Sequence, residues 1–342
     1  HYPREIIQMG IDMGLHMMQV PEEYGGMGLD TTTTAMMIEE GAKVESTYMG
    51  MFNVTSMGGK IVMAAGSEEQ KQYYAGLLQK GYLSAFCLTE PGAGSDSAAV
   101  RTTAVRDGDS YVIGGTKMFI TNASLADVFL VVASVDPSKG SRGLATFIVE
   151  RDCPGVSVSK KIDKFGMRLS NTAEVIFEDV KIPAANLVGT EESGFANAMK
   201  VLTASRPIIA ASSLGACQLA RDLAVQYSKE RVAFGKPICA KQMIQEKLAN
   251  MEILIQASRG LVYNATMLLD QGKPCNTEAS VAKCFVTEAF GTITDDALQI
   301  FGGYGLCDEY LISKLYRDAR VNRIVEGTNE IQRVVISKAM LR

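Results

Sequence analysis

Between about residues 83 and 188 the chain changes texture, and this change constrains the fold more than any other feature. Short runs rich in Val, Ile, Thr and Phe recur there, at 111–113, 118–121, 128–133, 145–149, 156–158 and 174–177. Turn residues such as Asp107-Gly108-Asp109 and Asn122 separate them, and no helix-length stretch intervenes. Closely spaced strands without crossover helices predict a small antiparallel sandwich or barrel. Helical spacing holds on both sides. Residues 33–44, 49–65 and a run opening at Ser67, with Gln70 completing a capping box, precede the strands. Residues 208–229, 243–271, 277–301 and 330–341 follow them. The expected fold is α+β and multidomain: an N-terminal helical domain over 1–82, a middle antiparallel β-sandwich or barrel over 83–190, and a C-terminal four-helix bundle over 191–342.

Composition removes several function classes. Lys and Arg number 34 against 38 Asp and Glu, so the net charge of −4 implies no strongly basic face and argues against a nucleic-acid binder. The two histidines, His1 and His16, both lie near the N-terminus. That argues against Ser-His-Asp or Cys-His catalysis and against histidine metal sites. Seven cysteines are scattered without a CxxC, which reads as reduced thiols rather than a disulfide framework or a zinc site. No apolar run approaches 18 residues, and no signal peptide is visible. The chain opens at His1 inside a helical pattern, so a missing N-terminal piece is expected.

Five segments could carry chemistry. Phe86-Cys87-Leu88-Thr89-Glu90-Pro91-Gly92-Ala93-Gly94-Ser95-Asp96 runs from a strand-like start into a loop able to offer backbone N–H groups to a phosphate or a ring edge. Taken alone, a tight helix-to-strand connection explains it as well. In Thr116-Lys117-Met118-Phe119-Ile120-Thr121-Asn122, strand alternation puts Phe119 and Thr121 on one face, suited to a flat heteroaromatic ring or simply half-buried. Arg231 and its neighbours close a helix with cations, which is an anion site or a dipole-stabilised end. The remaining two are Gln299-Ile300-Phe301-Gly302-Gly303 and Val325-Glu326-Gly327-Thr328. In the last, partial desolvation of Glu326 would bring its carboxylate toward general-base use, and a surface Glu at a helix start is the plain alternative. Neither GxGxxG nor GxxxxGK[ST] occurs, so ordinary dinucleotide and P-loop readings fall.

Together, CLTEPGAGSD, TKMFITN, SRP, ERVAFGKP, QIFGGYG and RIVEGTNEIQR, in this order along the whole chain, resemble the acyl-CoA dehydrogenase family, in its short-chain, butyryl-CoA dehydrogenase-like bacterial branch. The resemblance implies FAD as cofactor. It assigns Phe86, Leu88, Thr89, Gly94 and Ser95 to the loop along the flavin, and Phe119, Ile120 and Thr121 to the strand behind its ring. Many members carry Trp where this chain has Phe119. Arg231, Phe234, Gln242, Gln299, Gly302 and Gly303 match positions that reach the FAD of a neighbouring subunit; Gly327, Thr328 and Glu330 match the turn under the ribose and phosphates. Ser95, Ser170, Arg206, Glu326 and Gly327 match substrate-side positions, and no metal is implied.

Glu326 matches the catalytic base of the family's majority branch. A minority branch carries its base on the helix containing Thr203-Ala204-Ser205-Arg206-Pro207, where this chain has no acid. The implied reaction forms a trans-2-enoyl-CoA: Glu326 takes the α-proton and flavin N5 the β-hydride, with electrons passed to electron-transferring flavoprotein. A homotetramer without a membrane span is implied, in the bacterial cytoplasm or, in a eukaryote, the mitochondrial matrix. Alternatives are an acyl-CoA oxidase, the same chemistry run as an enoyl-CoA reductase, and a silent scaffold, against which the intact Glu326 argues. Met49, Phe52 and Asn53 share one helical face that either closes the acyl pocket or is plain core.

Overall fold

The computed structural model describes residues 3–341; His1, Tyr2 and Arg342 lie outside the described residues. The chain forms two compact units. The first holds the chain up to Asp30, Met51–Asp163 and Arg168–Leu202; the second holds Thr31–Gly50, Lys164–Met167 and the chain from Thr203 onward. The helices are α1 (Arg4–Asp12), α2 (Thr31–Ala65), α3 (Glu68–Gln79), α4 (Gly194–Glu230), α5 (Gln242–Asp270), α6 (Asn276–Phe301), α7 (Leu311–Asn322) and α8 (Asn329–Met340). The strands are β1 (Ser84–Cys87), β2 (Thr103–Asp107), β3 (Ser110–Thr121), β4 (Val128–Ser134), β5 (Leu144–Glu150), β6 (Val156–Val158), β7 (Thr172–Pro183) and β8 (Leu187–Val188). In chain order, helices thus precede and follow the strands of a central sheet region, as expected.

In the first unit the sheet order is β6-β7-β3-β2-β4-β5-β8, with β1 also on β4. All seven β4 residues are buried, because both faces of this strand are covered. Phe129, Val131 and Ala133 pack with Phe147, Val149, Val175 and Phe177. Val128 and Leu130 meet Met57, Ile61 and Val62 of α2 and Tyr74, Leu77 and Leu78 of α3. The capping box of α3 is formed as expected, Ser67 accepting from the Gln70 N–H. His16 is buried on this side and bonds the Leu78 carbonyl at 2.8 Å; burial lowers its pKa.

Four local expectations change. β1 and β2 pair with β4 in parallel, so the sheet is not wholly antiparallel; β2 and β3 lie in sequence between β1 and β4 and provide the crossover that parallel pairing needs. Residues 111–113 and 118–121 belong to the single long strand β3. α4 starts at Gly194 rather than near 208 and continues through Pro207, since its tightly packed surroundings outweigh the cost of one proline. It is long and apolar enough to cross a membrane, yet 72% of its most apolar stretch is buried inside the protein. α7 was not foreseen; it is short and charged, and buries Ile312, Leu315 and Ala319.

The second unit is helical. α2 is broken at Glu45 (φ −155°, ψ 99°), which separates the two helical runs read from sequence. Asp270 accepts the N–H groups of Thr31 and Thr32 at 2.7 and 2.9 Å and so caps α2 from the end of α5. Gly215 of α4 lies so close to α2 that a Cβ would come within 2.2 Å of the Glu39 carbonyl oxygen. Glu39 in turn accepts from Gln218, Arg259 and Tyr263.

Candidate active site

In the first unit, the loop after β1 is bound to β3. The Met118 N–H donates to the Thr89 carbonyl at 2.8 Å. Lys117, fully buried, donates to the Leu88 carbonyl at 3.2 Å and to Glu90 Oε1 at 2.7 Å. The Glu90 carboxylate also accepts the N–H groups of Arg101 and Thr102. Burial alone would raise the Glu90 pKa, but Lys117 and these donors outweigh it and hold it below the ordinary value. The fold therefore joins the 86–96 and 116–122 segments, leaving Gly94 and Ser95 exposed at the loop surface. A Cβ on Gly92 or Gly94 would meet nothing within 4 Å, so the backbone there is open to a ligand.

The strand period is broken ahead of Phe119, while from Phe119 onward the residues run exposed, buried and half-buried to Thr121. The β3–β7 register shifts between Lys117 and Ile120, and Phe119 has φ +57°. The bulge interrupts the two-residue period: Lys117 is buried, Phe119 is 59% exposed and Ile120 is buried again. Positive φ is a true outlier for an aromatic and costs about 1–3 kcal/mol, a strain that marks functional sites. Thr121 pairs with Thr172, which brings Ser170, two residues earlier, toward the same end of β3.

The second unit holds Glu326 on the α7–α8 connection, half-buried, with φ +55°; Gly327 follows at φ +90°. Thr328 caps α8 as expected, accepting the Ile331 N–H, and Glu330 lies in the first turn of that helix. Ser205 Oγ donates to Glu326 Oε2 at 2.5 Å. Arg206 is buried, donates to Ser280 at 3.4 Å, and its Nε has no hydrogen-bond partner among the described residues. Burial lowers its pKa and the Glu326 charge opposes that shift. Fully buried Lys283 of α6 donates to the Gly327 carbonyl at 2.9 Å and to Asn329 Oδ1 at 2.8 Å. Its pKa is pushed down to about 8 by burial, opposed by the charge of Glu326. Sequence reasoning missed Ser205 and Lys283. Lys283 could have been suspected, because it lies at helical spacing with buried Ala279, Val286 and Thr287.

Elsewhere in the same unit, Tyr227, Arg231, Phe301, Gly302, Gly303 and Tyr304 line a cleft of about 430 Å³. Arg231 lies 5.8 Å from the centre of the Tyr304 ring, Tyr227 stacks on Phe301 at 4.2 Å, and Gly302 and Gly303 are open on the side a Cβ would fill. Gln299 is exposed in the last turn of α6. Phe234 is exposed in the connection between α4 and α5, and Gln242 is exposed at the start of α5; neither lines the cleft. A cation, stacked rings and bare backbone suit an anionic ligand with an aromatic part, and the residues present fit a dinucleotide such as FAD. Met49, Phe52 and Asn53 are all buried. The Met49 thioether packs against Gly41, where a Cβ would come within 2.5 Å of Sδ, which gives this side chain a role in packing.

Family models for the N-terminal, middle and C-terminal domains of acyl-CoA dehydrogenases match residues 1–81, 85–180 and 192–341. An acyl-CoA dehydrogenase of Bacillus subtilis is 43% identical over 99% of this chain and 90% of its own length. A 3-(aryl)acrylate reductase of Clostridium sporogenes is 43% identical over 100% of this chain and 91% of its own. The solved butyryl-CoA dehydrogenase of Megasphaera elsdenii aligns with a TM-score of 0.97 at 40% identity, covering 100% of this chain and 91% of that one.

Proposed function

The chain belongs to the acyl-CoA dehydrogenase family of FAD-dependent oxidoreductases, and on that premise we propose that it removes hydrogen across Cα–Cβ of an acyl-CoA thioester with Glu326 as the base. The observation that carries this reading is the left-handed turn that presents Glu326 beside Ser205, Arg206 and Lys283. FAD supplies the hydride acceptor when bound.

In this reading Glu326 takes the α-proton. Ser205 fixes one carboxylate oxygen, and the two nearby cations favour the ionised form that a base requires. The backbone N–H of Glu326 polarises the thioester carbonyl, and Arg206 Nε is a donor available on the substrate side. Phe86, Leu88, Thr89, Gly94 and Ser95, with Phe119, Ile120 and Thr121, hold the flavin. Gly327, Thr328 and Glu330 hold its ribose and phosphates. Arg231, Phe234, Gln242, Gln299, Gly302 and Gly303 serve the cofactor of a neighbouring copy in a homotetramer. Ser95 and Ser170 contact CoA. Electron-transferring flavoprotein as acceptor, a cytoplasmic location and a three-domain division near 82 and 190 belong to the same reading.

The test is anaerobic flavin bleaching with short, branched, cyclic and aryl acyl-CoA thioesters. The parent should bleach with at least one of them. Glu326→Gln should keep fold and FAD and lose on the order of 10²–10⁴ in rate. Bleaching by that variant at near the parent rate would assign the proton to another group. A second reading, reduction of a 2-enoyl thioester, is favoured by the similarity to the Clostridium reductase. It holds if the dithionite-reduced enzyme is reoxidised by an aryl-acrylyl-CoA faster than the oxidised enzyme is bleached by the saturated thioester.

A further inference from the structure

We infer that Lys283 is a positioning residue for the Glu326 base: from within α6 it grips the turn that carries the carboxylate and keeps that carboxylate ionised. This rests on the reading of Glu326 as the base.

The first observation is the turn. Glu326 and Gly327 are both left-handed, and Glu326 has no intrinsic preference for that conformation. Donors from outside the turn hold it in place. The Gly327 carbonyl accepts from Lys283 Nζ and from Gln332 Nε2, each at 2.9 Å, and Gln332 also reaches the Glu326 carbonyl at 3.4 Å. Lys283 further holds Asn329, the first residue of α8, through its side-chain oxygen. One ammonium thus ties α6 to both sides of the Thr328 cap.

The second observation is the environment of the charge. The Lys283 ammonium donates to a carbonyl and an amide oxygen, both neutral. A buried ammonium without a bonded carboxylate is unfavourable, so packing alone does not account for it. The charged and titratable groups around it are Glu326 from the turn, Glu330 from α8, Arg206 from α4 and Cys284 beside it on α6. Of the two carboxylates, Glu330 is exposed at the helix start, so the half-buried Glu326 interacts more strongly with the ammonium through a low-dielectric interior. With its pKa near 8, the amine is largely protonated at neutral pH, when the base must be ionised.

The experiment compares the parent holoenzyme with Lys283→Met, Lys283→Gln and Lys283→Arg, using butyryl-CoA and an aryl-propionyl-CoA as probes. FAD per chain, KM and the anaerobic bleaching rate are measured from pH 6 to pH 9. Lys283→Met is expected to keep FAD and to change KM less than about threefold. Its bleaching rate at pH 6.5 should fall on the order of tenfold or more, with the acidic limb of the profile moved to higher pH, because the carboxylate has lost a cation. Lys283→Arg should return that limb toward the parent position. An acidic limb unmoved in Lys283→Met overturns the inference. So does failure of both neutral variants to assemble with FAD, which would make the amine a determinant of folding. If Glu326→Gln still bleaches, the assignment of the base fails; if it is dead while the Lys283→Met limb stays put, only this inference fails.

Discussion

Two lysines among the described residues are fully buried, one in each unit, and they are held in opposite ways. Lys117 has a carboxylate, Glu90 at 2.7 Å, with that carboxylate's remaining oxygen capacity taken up by backbone N–H groups. Among the described residues, Lys283 has only a carbonyl and an amide oxygen within bonding distance. Burial lowers both pKa values. In the first unit the charge is cancelled where it stands, and the result is a loop clamped onto a strand. In the second the charge is left uncancelled at short range and acts on a carboxylate beyond its hydrogen bonds. An ion pair closed on itself is suited to architecture; an ammonium among neutral acceptors is suited to tuning a neighbour.

The largest expected effect tests the closed pair. Lys117→Met alone leaves Glu90 buried without its cation and should cost about 3–5 kcal/mol in denaturant unfolding at pH 7, with loss of FAD. Adding Glu90→Gln should recover most of that cost, since no buried charge remains. Equal losses in the single and double variants would break the contrast. The Glu90 pKa is depressed in the folded state, so its contribution is present above the ordinary carboxylate value and is lost as pH falls through the lowered one.

The next effect belongs to Lys283 and has the opposite character. Its folded pKa is depressed from 10.5 to about 8, so the unfolded chain binds more protons across that window. Stability of the parent relative to Lys283→Met should therefore rise as pH increases from 8 to about 10.5, by on the order of 3 kcal/mol, and stay flat below 8. Paired urea melts at pH 7, 8, 9 and 10 measure it. A flat difference would mean that the amine is solvated better than its burial implies.

These two lysines also mark the limit of what the sequence reveals. The Thr328 cap was legible because its motif is contiguous with the helix it starts. The α–β–α order was legible because the hydrophobic texture changes twice. The partners of the lysines were not, since Glu90 lies 27 residues from Lys117 and Gly327 lies 44 from Lys283. Only the fold brings them together. The break ahead of Phe119 was hidden for a different reason: a bulge adds a residue between Lys117 and Ile120, so that both are buried, and nothing in TKMFITN announces it. Parallel pairing of β1 with β4 was hidden too, because strand spacing reports loop length and not sheet order.

A smaller effect is expected at Ser205. Its hydroxyl is a neutral donor to the same carboxylate that Lys283 acts on through charge. Ser205→Ala should slow bleaching about tenfold at pH 6, close to the 1.5 kcal/mol at the low end for a hydrogen bond to a charged group, and less at pH 8. If Lys283→Met and Ser205→Ala both act on the ionisation of Glu326, the double variant should move the acidic limb further than either alone. A double variant no different from Lys283→Met would mean that the hydroxyl bond depends on the turn that Lys283 holds.

The smallest effect on stability is expected from the cation that is not buried. Arg231 is exposed and lies over the Tyr304 ring at 5.8 Å, at the mouth of the cleft with Gly302 and Gly303. Water already solvates its guanidinium, so Arg231→Ala should change unfolding of the FAD-stripped protein by no more than about 0.5 kcal/mol. Its proposed partner is the cofactor of a neighbouring copy, and a guanidinium on a diphosphate is a charge-assisted contact. FAD retention should therefore weaken on the order of tenfold, with a steeper dependence on salt in the parent than in the variant. Fluorescence of released flavin during dilution reads this directly. Should Arg231→Ala destabilise the stripped protein as much as Lys117→Met while leaving FAD retention intact, the exposed cation would be structural, and burial would no longer separate architectural charges from functional ones.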